Sequence, residues 1–139
     1  MAARVAYHKP FIKCFHKAFE QVFQDKPKDQ IKIVDATAGT GWLGVEHKKL
    51  EYTNLYALEI SPEMLKLAKK KKIYNDLICA ALNGQPIPQI ETGQFDALIC
   101  GGSILEGRIG SSAFVEMIRM VRAGRYSKKM QKDDLRLKR

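Results

Sequence analysis

Apolar residues recur at helical spacing along the first part of the chain. Phe11, Phe15, Ala18, Phe19, Val22 and Phe23 share one side of a segment from Pro10 to Gln24. Lys9, Lys13, Lys17, Glu20 and Gln21 fill the other side, so the segment reads as an amphipathic helix. A polar break with Pro27 follows, and then Ile31–Ala36, a short apolar run rich in β-branched residues and closed by glycines, predicts a strand. Residues 41–50 predict a second helix, and Leu55–Ile60 a second strand. Ser61 reads as an N-cap, Pro62 as the first helical residue and Glu63 as an acid near the positive helix end. Met64, Leu67 and Ala68 give that helix an apolar face. Leu77–Leu82 and Phe95–Cys100 predict two more strands. Ala113–Val121 predicts a last helix with Phe114, Met117, Ile118 and Val121 on its apolar stripe.

Strands that alternate with helices indicate βαβ units and a parallel sheet. The strands are apolar on both faces, as a sheet between two helix layers requires. The expected class is α/β, a Rossmann-like parallel sheet with helices on both faces and about four strands.

Composition narrows the picture. The 139 residues suit one domain, and 45% hydrophobic content suffices for one core. No apolar run approaches the roughly 20 residues that span a bilayer. Cys14, Cys79 and Cys100 form no CxxC pair, which disfavours a disulfide scaffold or a zinc site. The expectation is a soluble, cytoplasmic or nuclear protein. The net charge of +9 is unevenly spread. Residues 1–118 hold 15 Lys/Arg against 13 Asp/Glu, whereas residues 119–139 hold 9 against 2. A domain over residues 1–126 with a basic tail at 127–139 follows. The tail predicts weak, sequence-independent attraction to nucleic acid.

The most informative stretch runs Val34-Asp35-Ala36-Thr37-Ala38-Gly39-Thr40-Gly41-Trp42-Leu43-Gly44, between a strand and a helix. Glycines there let the backbone turn tightly and approach a ligand. Glu59 ends the next strand, where a carboxylate can accept hydrogen bonds from both ribose hydroxyls. Read literally, residues 39–44 spell GxGxxG, the dinucleotide signature. Yet Asp35 to Ala38 intervene between strand and first glycine, and a carboxylate there would repel a pyrophosphate. A cofactor bearing an ammonium and a sulfonium suits the site better.

These residues resemble a class I S-adenosylmethionine-dependent methyltransferase. The strand-end acid and its glycine loop (Asp35 to Gly41), the acid followed by a helix start (Glu59-Ile60-Ser61-Pro62-Glu63-Met64-Leu65) and a fourth strand (Gln94 to Cys100) match its motifs in order. The stretch from Ile73-Tyr74 through Asn83-Gly84-Gln85-Pro86 is most similar to the Williams–Beuren-region methyltransferase-like proteins. The resemblance covers about Tyr7 to Tyr126. It implies S-adenosylmethionine as cofactor and an unidentified, small-molecule type methyl acceptor. Asp35 would orient the methionine amino group, and the loop of Ala36, Thr37, Ala38, Gly39 and Gly41 would pass beneath the methionine. Glu59 would hold the ribose, with Ile60, Met64 and Leu82 beside the adenosine.

Departures from the family pattern set further expectations. Thr37 replaces the usual first glycine. Ala80-Ala81-Leu82 lacks the acid that often binds the adenine amino group, a hydrogen bond worth ~1–2 kcal/mol. Glu51 stands at a turn where glycine is common. Neither a helical lid before Tyr7 nor a fifth strand after Arg122 is legible, which suggests a truncated, spliced or degenerate form. The fourth strand would then be an apolar sheet edge prone to self-association. A non-catalytic interaction module derived from such an enzyme is the rival reading. Glu106 and Arg108 read as surface-loop residues, with a substrate base or anchor as the alternative.

Overall fold

A computed structural model describes residues 2–101 and 110–122, with side chains from Ile12 onward. Glu106, Arg108 and the tail at 127–139 lie outside the described residues. The elements are α1 (Ala2–Val22), β1 (Ile33–Ala36), α2 (Trp42–Lys49), β2 (Leu55–Glu59), α3 (Pro62–Lys70), β3 (Asp76–Cys79), β4 (Ala97–Cys100) and α4 (Ala113–Met120). The four strands form one parallel sheet in the order β3-β2-β1-β4. The expected α/β architecture is therefore present.

Register decides which side chains share a face. Ile33 pairs with Leu55 and Ala97, and Asp35 with Ala57 and Ile99. This face carries α1, α2 and α3. Ile12, Phe19, Leu43 and Tyr52 close over Ile33, Leu55, Ala97 and Ile99, while Leu65 packs on Ala57 and Ala38. His47 of α2 is wholly buried here beside the rings of Phe15, Phe19 and Tyr52. Its Nδ1 bonds the Leu43 carbonyl oxygen at 2.9 Å, and burial lowers its pKa, so it is a neutral core residue. On the opposite face, Val34, Leu58 and Ile78 meet Ile87, Ile90 and Phe95 of the loop before β4 and Met120 of α4.

Several expected boundaries move. The first helix begins at Ala2, so Pro10 falls inside it rather than at its first turn. The third strand ends at Cys79, and residues 80–82 leave the ladder. On α3 the buried residues are Leu65 and Ala68, whereas Met64 and Leu67 are exposed. The stripe expected on α4 is rotated: Ala113, Glu116, Met117 and Met120 are buried, and Phe114 and Ile118 are exposed. The cause is ionic. Glu116 turns inward to accept the Ile87 N–H at 2.6 Å and to pair with Arg119. Arg119 in turn donates to the carbonyl oxygens of Ile87 and Ile90. The pair thus ties α4 to the loop before β4, and polar satisfaction overrides the apolar period.

The expected bare edge at β4 is covered at its entry. Phe95 forms a parallel bridge with Val121, through Phe95 N–H to Met120 O at 2.9 Å and Arg122 N–H to Phe95 O at 2.7 Å. Among the described residues no helix is long and apolar enough to cross a membrane.

Glu51 has φ of +74°, as its turn position led one to expect, and its side chain is exposed. The left-handed region costs a non-glycine residue roughly 1 kcal/mol. Glu51→Gly should raise stability by about 0.5–1 kcal/mol, or about 3 °C in melting temperature. Thermal unfolding followed by circular dichroism checks this; an unchanged or lower midpoint would contradict the strain.

Candidate functional site

The carboxyl ends of β1, β2 and β3 open onto one cleft, the usual ligand position for an open α/β sheet. The chain leaves β1 through three alternate left-handed residues, Thr37 (φ +60°), Gly39 (+59°) and Gly41 (+89°). Glycine meets this demand at two of them without a Cβ penalty. At the third, β-branched Thr37 is strained, and its Oγ1 bonds the Ala36 carbonyl and lies 3.4 Å from Cys100 Sγ. Strain in a loop of this kind is characteristic of ligand sites.

Glu59 fixes the loop from the side. It is the last residue of β2 and is 9% exposed. Its Oε1 accepts the Gly39 N–H at 3.1 Å, and its Oε2 accepts the Ser61 N–H at 2.8 Å. An ionised carboxylate has about four acceptor positions. Two are used by the backbone, and Glu59 is one of the residues that line the cleft. Ser61 then caps α3 by accepting the Met64 N–H at 3.3 Å, with Pro62 in the first turn.

The cleft has a volume of about 440 Å³, within the range of small-molecule sites. Of the residues expected from sequence, Thr37, Glu59, Ile60, Met64 and Leu82 line it. Ile60 is 64% exposed and presents its apolar side chain to the cleft rim. Leu58, Ser61, Ala80, Ala81 and Asn83 complete the lining, and sequence reasoning did not single them out for it. Asn83 follows Ala80-Ala81-Leu82, the stretch that lacks an adenine-binding acid. Its side chain offers a carboxamide where Ala80 to Leu82 offer none.

Asp35, Ala36, Ala38, Gly39 and Gly41 stand behind this lining. Ala36 is fully buried and Ala38 nearly so. Gly41 faces Tyr74 and Ala68. Asp35 is 1% exposed, on the sheet face beneath α2. Its Oδ2 accepts the Tyr74 hydroxyl at 2.6 Å, and the Gly44 N–H also bonds it. Desolvation raises its pKa to about 7; the Tyr74 bond opposes the rise, and the Glu59 charge adds to it. Among the described residues Asp35 forms no ion pair. A buried carboxyl with donors but no cation is suited to a site that receives positive charge from a ligand.

No group of three or more His, Cys, Asp or Glu that could hold a metal is found among the described residues. Cys100 is half-buried, and burial raises its pKa, which makes it a poor nucleophile.

Comparison with known proteins agrees with this geometry. Residues 34–126 match the family described as Methyltransferase domain. Human methyltransferase-like protein 27 is 30% identical over 91 residues, 66% of this chain and 37% of that protein. The chain thus spans little more than a third of that relative's length. A TehB-like SAM-dependent methyltransferase from Corynebacterium glutamicum superimposes with a TM-score of 0.55 at 18% identity, over 85% of this chain and 68% of the other. An S-adenosylmethionine-dependent methyltransferase from Mesorhizobium loti gives 0.60 at 16% identity, over 84% and 49%. The structural likenesses carry the fold, and the family match, which takes in the sheet from β1 onward and the loops of the cleft, carries the kinship: the chain belongs to the methyltransferase domain family, in which S-adenosylmethionine is the cofactor.

Proposed function

We propose that this chain binds S-adenosylmethionine in the cleft over β1, β2 and β3 and presents its methyl group to an acceptor of small-molecule type. The observation that supports this best is the Glu59 carboxylate, held by two backbone amides in the lining of the cleft and with acceptor capacity to spare. Vicinal ribose hydroxyls match a carboxylate presented in this way. Ile60, Met64 and Leu82 supply apolar walls for a flat base, and the Asn83 carboxamide stands beside them. Asp35, under the glycine loop, complements the ligand's ammonium group. The cofactor supplies a methyl group on a positively charged sulfur. The protein's part is to hold that group in line with an acceptor and to exclude water, which lowers the barrier by proximity and desolvation.

Calorimetric titration with S-adenosylmethionine tests the reading. The unmodified chain should bind, and Glu59→Ala should weaken binding by about 2–3 kcal/mol, a factor of roughly 30–150. Glu59→Gln keeps the side chain's length and should lie between the two. An unchanged dissociation constant in Glu59→Ala, with the circular dichroism spectrum intact, would contradict the assignment. So would a preference for NAD(H).

Asp35 makes the site costly to maintain without ligand. Its folded pKa, about 7, exceeds the unfolded value near 3.8. The folded state therefore holds the proton more tightly. Stability from this group is complete below about pH 4 and is lost as pH rises to about 7. Asp35→Asn removes the titration at nearly constant shape. In urea unfolding it should stabilise the ligand-free protein by about 2–4 kcal/mol at pH 8 and by almost nothing at pH 4. Equal effects at both pH values would show that the carboxylate is not desolvated as described.

A further inference from the structure

We propose that Tyr74 is a positioning residue for the cofactor: its hydroxyl, donated to Asp35 Oδ2 across 2.6 Å, fixes that carboxylate beneath the glycine loop in the orientation a ligand ammonium requires. The inference rests on the cofactor reading above and deepens it. Tyr74 lies in the loop between α3 and β3, 39 residues from Asp35. It forms no part of the glycine motif or of the acid that ends β2.

The glycines of the first turn of α2 show how closely the ring is fitted. A Cβ added to Gly44 would stand 2.3 Å from the Tyr74 hydroxyl oxygen and 2.6 Å from Cζ. One added to Gly41 would stand 3.0 Å from Cε2. Both glycines are thus the floor on which the tyrosine ring lies. The last glycine of the literal GxGxxG makes room for a side chain of this chain, not for a pyrophosphate. Helix α2, the loop before it and the α3–β3 loop are thereby locked together at Asp35.

The groups facing Asp35 leave Tyr74 a defined role. The Gly44 N–H comes from α2, the Tyr74 hydroxyl from the α3–β3 loop, Glu59 from β2 and the Cys100 thiol from β4. Two are donors to the carboxylate, one is a like charge, and the thiol is neutral. Burial and the neighbouring carboxylate push the Tyr74 pKa well up, so the phenol keeps its proton and donates. Removal of the hydroxyl leaves one donor, and the neutral form of Asp35 gains. A ligand ammonium then meets a carboxyl that yields its proton less readily.

Tyr74→Phe keeps the ring on Gly41 and Gly44 and deletes the donor alone. Carbon-detected NMR of the ligand-free protein should show the Asp35 carboxyl titrating near pH 7, and about one unit higher in Tyr74→Phe. Calorimetry with S-adenosylmethionine from pH 6 to 9 should show affinity rising with pH in both proteins. The variant's curve should be displaced upward by the same increment and converge on the unmodified protein at high pH. A merely structural loss would lower affinity equally at every pH. Gly44→Ala, which pushes the hydroxyl away while keeping the tyrosine, should displace the titration in the same direction. An unmoved Asp35 titration in Tyr74→Phe would overturn the inference, as would a pH-independent loss of affinity. If the unmodified protein binds no S-adenosylmethionine, the cofactor reading falls and the positioning role with it. The carboxyl titration reads the Tyr74–Asp35 bond in either case.

Discussion

The Glu59 carboxylate is the point on which the site depends. One oxygen holds the glycine loop at Gly39, and the other holds the start of α3 at Ser61. Without it, the two loops that border the cleft have no shared anchor, and two backbone N–H groups lose their acceptor. An unpaired, part-buried donor costs about 1–3 kcal/mol. The same carboxylate faces the cleft and is available to a ligand. Ligand binding and loop geometry therefore act through one group, and preorganisation of this kind reduces what binding must spend on ordering.

A second tension lies one layer down. Asp35 is buried with two donors and, among the described residues, no cation, at the expense of stability near neutral pH. Thr37 holds a conformation that suits glycine. Both residues break local rules where the sheet meets the cleft, which is where functional strain is expected to gather. The elements that flank the cleft are locally consistent. Ser61 caps, Pro62 starts a helix, and the inner strands β1 and β2 are almost wholly buried.

The sheet was legible because its strands are short, mainly apolar runs, β-branched in β1, each closed by turn chemistry. Glu59, Ile60, Met64 and Leu82 could be placed near one another because they follow strand ends, and strand ends in a parallel sheet share one rim. Other features lie outside local pattern. The outward face of α4 departs from the apolar period because Glu116 turns inward to Ile87 and Arg119, and a hydrogen bond to a backbone N–H 29 residues away leaves no mark on that period. Tyr74 belongs to a stretch that carries the family resemblance, but its bond to Asp35, 39 residues away, leaves no local mark either. Gly44 fitted a dinucleotide signature by spacing, whereas its structural demand comes from the phenol ring against it. Asn83 marks the same family stretch in the sequence, but its place in the cleft lining follows from the turn after β3 and not from an acid at that strand end.

The most direct test of the account is an amide-resolved NMR titration of the 139-residue chain with S-adenosylhomocysteine, the methyl-free product, which binds without reaction. The account predicts that the largest shifts gather at the Gly39, Ile60, Ser61 and Asn83 amides, on the loops joined by Glu59, and that the far ends of the strands stay still. Shifts centred on another surface, or none at millimolar ligand, would contradict it.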